Sequence, residues 1–133
     1  MVVVDASVVA ALIVDLPWSA DAKEALAREP RLSVPSIFLA EVANAIWRNV
    51  RAGVLEPAQA VAALRSARGI VEVEPEDALT EDALDMAIRY DHPVYDCLYV
   101  VLALRAGASL LTADRKLAAL ARRTLVPARL FTT

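Results

Sequence analysis

Four carboxylates in this chain stand in strongly apolar company. Asp5 follows MVVV, Glu41 lies inside IFLAEVANAIW, Asp96 opens the run DCLYVVLAL, and Asp114 follows SLLTA. Carboxylates are seldom fully buried unless they are paired or bound to metal. Gathered in one pocket they would repel one another, since two unit charges 4 Å apart interact by about 4 kcal/mol at an effective dielectric of 20. Some would then hold a proton. A divalent cation relieves that repulsion, and a ligand set made of oxygen alone selects a hard ion: Mg2+, with Mn2+ able to substitute. Such an ion lowers the pKa of a bound water and polarises a phosphoryl oxygen, and a pair of ions about 3.5–4 Å apart clamps both oxygens of an in-line displacement. Each acid also has an ordinary explanation. Asp5 and Asp114 precede helices they can cap, Asp96 falls in a first helical turn that favours an acid, and Glu41 suits the wet edge of an amphipathic helix. It is the combination of all four that points to a shared site.

Competing chemistries lack their parts. There is one cysteine, Cys97, and one histidine, His92, so no disulfide closes within the chain, no zinc site forms from Cys and His alone, and no paired-histidine ribonuclease is possible. The three glycines, Gly53, Gly69 and Gly107, are far apart and read as helix stops, not as a phosphate loop. His92 precedes Pro93 and reads as a solvated loop residue. Cys97 reads as an inert packing thiol. Trp18 and Trp47 have the rings to stack bases, but core packing or a subunit contact is the expected role of both.

Positioning those acids falls to short strands alternating with helices. Residues 1–4 form an apolar run ending at Asp5, residues 32–34 and 70–73 two further strands, and residues 109–112 a fourth that leads to Asp114. A last edge strand is expected at 125–126 or 130–131. Helices are expected at 6–14, at 19–28 with Ser19 as cap, and from a Ser36 cap to about residue 52 with Gly53 beyond it. Others are expected from Pro57 to Gly69, over 80–90, over 94–106 and over 115–123. In the helix after Ser36, Phe38, Val42, Ala45, Ile46 and Asn49 mark the core face. Ile37, Glu41, Asn44 and Arg48 form a neighbouring stripe carrying an acid, an amide and a cation. Residues 97–104 are apolar all round, as a buried helix is. This alternation predicts an α/β fold of three layers, α/β/α, around a short-stranded, mostly parallel sheet. Sites in such sheets lie at the carboxyl ends of the strands, where Asp5 and Asp114 fall.

Length and composition agree. The chain has 133 residues, 58% hydrophobic and 23% charged, which suits one domain spanning 1–133 and excludes a disordered chain. The longest uncharged stretches are nine residues (6–14 and 32–40), against about 20 for a spanning helix. The N-terminus carries no basic leader, so a cytoplasmic protein without a membrane span is expected. The net charge of −3 is not that of a typical nucleic-acid binder, but it is unevenly placed. Residues 72–96 carry nine acids and one base, whereas residues 97–133 carry six bases and one acid. Solvated helix faces explain this; so does a basic surface beside an acidic pocket.

Four segments in this order, VVVDASV (2–8), PSIFLAEVANAI (35–46), PVYDCLYVVLA (93–103) and LLTADRKL (110–117), resemble the PIN-domain ribonucleases, in particular the VapC toxins of toxin–antitoxin pairs. The resemblance covers nearly the whole chain and is silent over residues 54–80. It implies a PIN-like fold and a metal-dependent endoribonuclease that hydrolyses RNA phosphodiesters. Its acidic quartet falls on Asp5, Glu41, Asp96 and Asp114 as catalytic residues and metal ligands. Ser7, Asn44 and Thr112 match the polar positions that support them. The resemblance further implies a homodimer and inhibition by a VapB-like antitoxin. Cys97 departs from the small residue often found at its position. Two other readings stand beside this one: a receiver-like signalling domain, and a PIN-like module kept only for binding a partner.

Overall fold

The computed structural model describes residues 1–132, with Glu76 described by its backbone alone. Three consecutive valines make β1 (Val2–Val4), buried throughout. It is followed by α1 (Ala6–Ala10), α2 (Ser19–Ala27), β2 (Leu32–Pro35), α3 (Ile37–Arg51), α4 (Pro57–Gly69) and β3 (Glu72–Glu74). After a 3₁₀ turn at Glu76–Ala78 come α5 (Thr80–Tyr90), α6 (Val94–Ala106), β4 (Ser109–Thr112), α7 (Arg115–Arg123) and β5 (Ala128–Leu130). The five strands form one parallel sheet in the order β3-β2-β1-β4-β5. Parallel strands covered on both faces read as unbroken apolar runs, which is why β1 and most of β4 show no alternation.

Right-handed crossovers carry α1 to α4 over one face on the way from β1 out to β3. The chain then returns to β4 and β5, which sends α5, α6 and α7 to the other face. The contacts agree: α1 packs on α3 and α3 on α4, while α6 packs on α5, α7, β1 and β2. The expected three-layer α/β/α architecture is therefore present. A receiver-like fold would order its strands 2-1-3-4-5; the observed order differs, and that alternative falls. The core is mostly aliphatic, with Val3, Val4, Val34, Val42 and Leu110 fully buried beside the aromatic rings of Phe38 and Tyr99. Residues 97–103 of α6 are buried in succession, as expected, but Leu104 is exposed.

Several local expectations need correction. The third strand begins two residues later than its apolar pattern implied. Ile70 instead closes α4, its N–H bonding the Ala67 carbonyl, and β3 is an exposed edge strand held by backbone pairing to β2, with Ser33 opposite Glu72. The last strand is Ala128–Leu130. Leu125 turns the chain at φ +65° and is exposed. Helix α1 ends at Ala10, short of residue 14. Ser36 makes no capping bond. Ser19 is the first residue of α2, where its hydroxyl accepts from the Leu16 N–H (2.8 Å) and donates to the Val14 carbonyl (3.2 Å). It thus ties down the incoming loop. Asn49 is only half-buried, its amide donating to the Ala45 carbonyl at 2.9 Å.

Candidate active site

β1 and β4 lie side by side with Val4 opposite Leu111, and the Asp5 N–H donates to the Leu111 carbonyl at 2.9 Å. Asp5 is thereby fixed next to Thr112, the last residue of β4. The Thr112 hydroxyl donates to Asp5 Oδ2 at 2.8 Å, and the Ser7 hydroxyl donates to the same oxygen at 2.6 Å. Both hydroxyls also accept from the loop after β4: Thr112 from the Asp114 N–H (3.0 Å) and Ser7 from the Ala113 N–H (3.0 Å). Asp5 is 7% exposed yet does not cap α1. Burial raises its pKa, with Asp96 and Asp114 adding to the rise and the two hydroxyl bonds opposing it. Two donors on one oxygen leave Oδ1 as the atom free to meet a ligand.

Glu41 comes from the second turn of α3, on the stripe beside its core face. Its Oε1 accepts a 2.6 Å hydrogen bond from the Tyr99 hydroxyl of α6. Its pKa is pushed up to about 7, first by burial and then by the charges of Asp5, Asp96 and Asp114, against the Tyr99 bond. Burial and the nearby carboxylates also hold the Tyr99 phenol well above its ordinary range, so it stays a donor. Asp96, in the first turn of α6, meets His92 Nε2 through Oδ2 at 2.9 Å, across the Pro93 corner. Asp114 caps α7, its Oδ1 accepting from the Lys116 N–H (2.8 Å) and the Leu117 N–H (3.2 Å). Here the capping explanation is true, but both bonds use one oxygen.

All four acids line a single cavity of about 490 Å³, together with Ser7, Asn44, Arg48 and Trp18. Thr112 stands behind Asp5 and not in the lining, as does Tyr99 behind Glu41. Among the described residues, no three His, Cys, Asp or Glu side chains are gathered into a ready-made metal cage. The donor set is all oxygen, and Glu41 near pH 7 is a carboxyl that a cation would finish ionising.

His92 and Tyr99 were missed in the sequence reading. His92 is 14% exposed in its side chain and paired with Asp96, not a solvated loop residue. For Tyr99 the sign was a phenol inside an all-apolar helix, because a buried Tyr hydroxyl needs a partner. Cys97 is buried as expected and its thiol is pushed up to about 11, which leaves it unreactive. Trp47 is 53% exposed, outside the core.

The parallel sheet of this order, with carboxylates converging at the carboxyl ends of its central strands, defines a PIN-type nuclease fold, and the PIN domain family model matches residues 2–123. The chain belongs to the PIN-domain family, among its VapC ribonucleases. It is 35% identical over 119 residues to Ribonuclease VapC3 of Pyrobaculum aerophilum, covering 87% of this chain and 91% of that protein. The crystal structure of PAE2754 from Pyrobaculum aerophilum matches 95% of this chain and 81% of its own, with a TM-score of 0.74 and 25% identity. Mycobacterium tuberculosis VapC20, described as a Sarcin-Ricin loop cleaving toxin, matches 90% of this chain and 94% of its own, with a TM-score of 0.69 and 25% identity.

Proposed function

We propose that this chain is a Mg2+-dependent endoribonuclease, the toxin of a VapBC-type pair, and that residues 1–133 form one domain. Asp5, Glu41, Asp96 and Asp114 are assigned as catalytic residues and metal ligands, with Ser7, Asn44 and Thr112 in support. The observation that carries the reading is the shared cavity: four acids distant in sequence line it, and Asp5 is buried there with one oxygen held by two hydroxyls. When bound, the ion supplies an acidified water and a polarised phosphoryl oxygen; Mn2+ is expected to replace Mg2+.

The chain's own residues then divide the work. Ser7 and Thr112 hold Asp5 through Oδ2, so that Oδ1 would be the oxygen left to hold an ion, and such supporting partners fix a ligand's orientation. His92 does the same for Asp96. Glu41, held by the Tyr99 hydroxyl through one oxygen, is suited to orient the attacking water with the other. Asp114 keeps one oxygen on the α7 backbone and offers the other to the site.

Partners follow from the family. RNA is the substrate, a VapB-like antitoxin the inhibitor, and a homodimer the expected assembly in the cytoplasm. No described helix is long and apolar enough to cross a membrane. The test is Asp5→Asn, which keeps the shape and both hydroxyl partners but removes the charge. RNA cleavage is expected to fall by at least about a hundredfold with the melting temperature maintained or raised. Undiminished cleavage by a folded Asp5→Asn chain would remove the mechanism.

A further inference from the structure

Arg48 has an odd address. It is the one Lys, Arg or His among the described residues lining the acidic cavity, and it forms no ion pair there. Arg28, Arg31, Arg89 and Arg105 all hold carboxylates elsewhere on the surface. Arg48 stands seven residues after Glu41 on α3, two turns along one face and roughly 10 Å further down the axis. The helix therefore sets a cation in the same cavity as the acids, with no ion pair between them. An exposed guanidinium left unpaired next to four carboxylates is suited to an anion that arrives from outside.

Trp18 lines the same cavity. One face of its indole is stacked on Phe131, with ring centroids 5.9 Å apart and planes 29° from parallel. Phe131 is itself buried and carries the Arg129 guanidinium 4.6 Å from its ring centroid. The stack is thus backed from below and Trp18 is held rigid. It stays half-buried and lines the cavity, which leaves part of the side chain accessible there. Rigid aromatic surface beside a cation is how proteins hold unpaired nucleotides, because every base has a face to stack and every linkage a charge to meet.

We propose that Trp18 and Arg48 form a subsite for one unpaired nucleotide next to the bond that is cut, Trp18 stacking its base and Arg48 holding its phosphate. This deepens the nuclease reading and rests on it. A base paired inside a duplex has no free face to offer such a stack.

The test uses fluorescence and salt dependence of binding, measured on an Asp5→Asn chain so that RNA survives. With Trp47→Phe added, Trp18 is the sole tryptophan. An unstructured oligoribonucleotide is expected to quench Trp18, and a blunt RNA duplex of the same length to leave it unchanged. Arg48→Gln is expected to weaken binding about tenfold and to lower the slope of log affinity against log salt by about 0.7, one phosphate contact on a single strand. A purely structural role would not move that slope. Trp18→Leu is expected to weaken binding by about tenfold, within the range for loss of one stacked base, and Trp18→Phe to restore most of it, which guards against a folding defect. A silent Trp18, equal quenching by the duplex, or an unchanged salt slope would each overturn the subsite. RNA bound with these signatures but left intact by the wild-type chain with Mg2+ would support the subsite and remove the nuclease reading. Cleavage with Trp18 silent would do the reverse.

Discussion

At the scale of single residues, two aspects of Glu41 can be measured apart from catalysis. Its pKa is raised to about 7 from the ordinary 4.5 by burial and by three neighbouring acids. The folded chain therefore binds a proton more tightly than the unfolded one across that interval. Stability from this group is complete below about pH 4.5 and is lost as pH rises through about 7; Asp5, shifted the same way, adds to the trend. In chelator, the melting temperature of the wild-type chain should fall over that window, and Glu41→Gln should flatten the fall. An equal slope in both proteins would show that Glu41 is not the group responsible. Tyr99→Phe removes the donor that favours the Glu41 carboxylate. The acid limb of the pH–rate profile should then move to higher pH, while a change in rate without a shift of the profile would argue for packing alone.

Asp114 belongs to the scale of the element, because it serves a helix as well as the cavity. Asparagine is as good an N-cap as aspartate, whereas alanine loses the cap at about 1 kcal/mol. Asp114→Asn should keep the melting temperature and lose cleavage; Asp114→Ala should lower both. If Asp114→Asn cleaves normally, the residue is a cap and nothing more. The elements also mark how far the sequence could be read. Central strands and buried helices were legible because burial on both sides writes a continuous apolar run, as in Val2–Val4 and in residues 97–103 of α6. The edges were not. β3 is exposed and consists of EVE, and its place is set by backbone bonds to β2 that leave no mark on side-chain type. The same holds within the site. The acids were visible by their apolar neighbours, but Tyr99 meets Glu41 only because the fold brings helices of opposite layers together at the sheet's end, and His92 meets Asp96 only across the Pro93 corner.

For the molecule as a whole, charge and topology act together. The sheet order carries Asp5 and Asp114 to adjacent strand ends, and α3 and α6 supply Glu41 and Asp96 from opposite layers. Several negative charges then meet over a short distance in a chain already at −3. Such an arrangement favours a divalent cation and disfavours an RNA backbone until the cation is present. RNA affinity should therefore rise with Mg2+ in the Asp5-intact chain at constant ionic strength, and a flat response would argue that RNA binds without it. The most direct measurement is Mn2+ binding by electron paramagnetic resonance, in which the signal of the free ion disappears as the ion is taken up. The wild-type chain should remove the signal stoichiometrically, with Asp5→Asn and Asp96→Asn each weakening uptake by at least about tenfold. Uptake by both the Asp5→Asn and the Asp96→Asn chains as strong as by the wild type would contradict a cation held by these carboxylates.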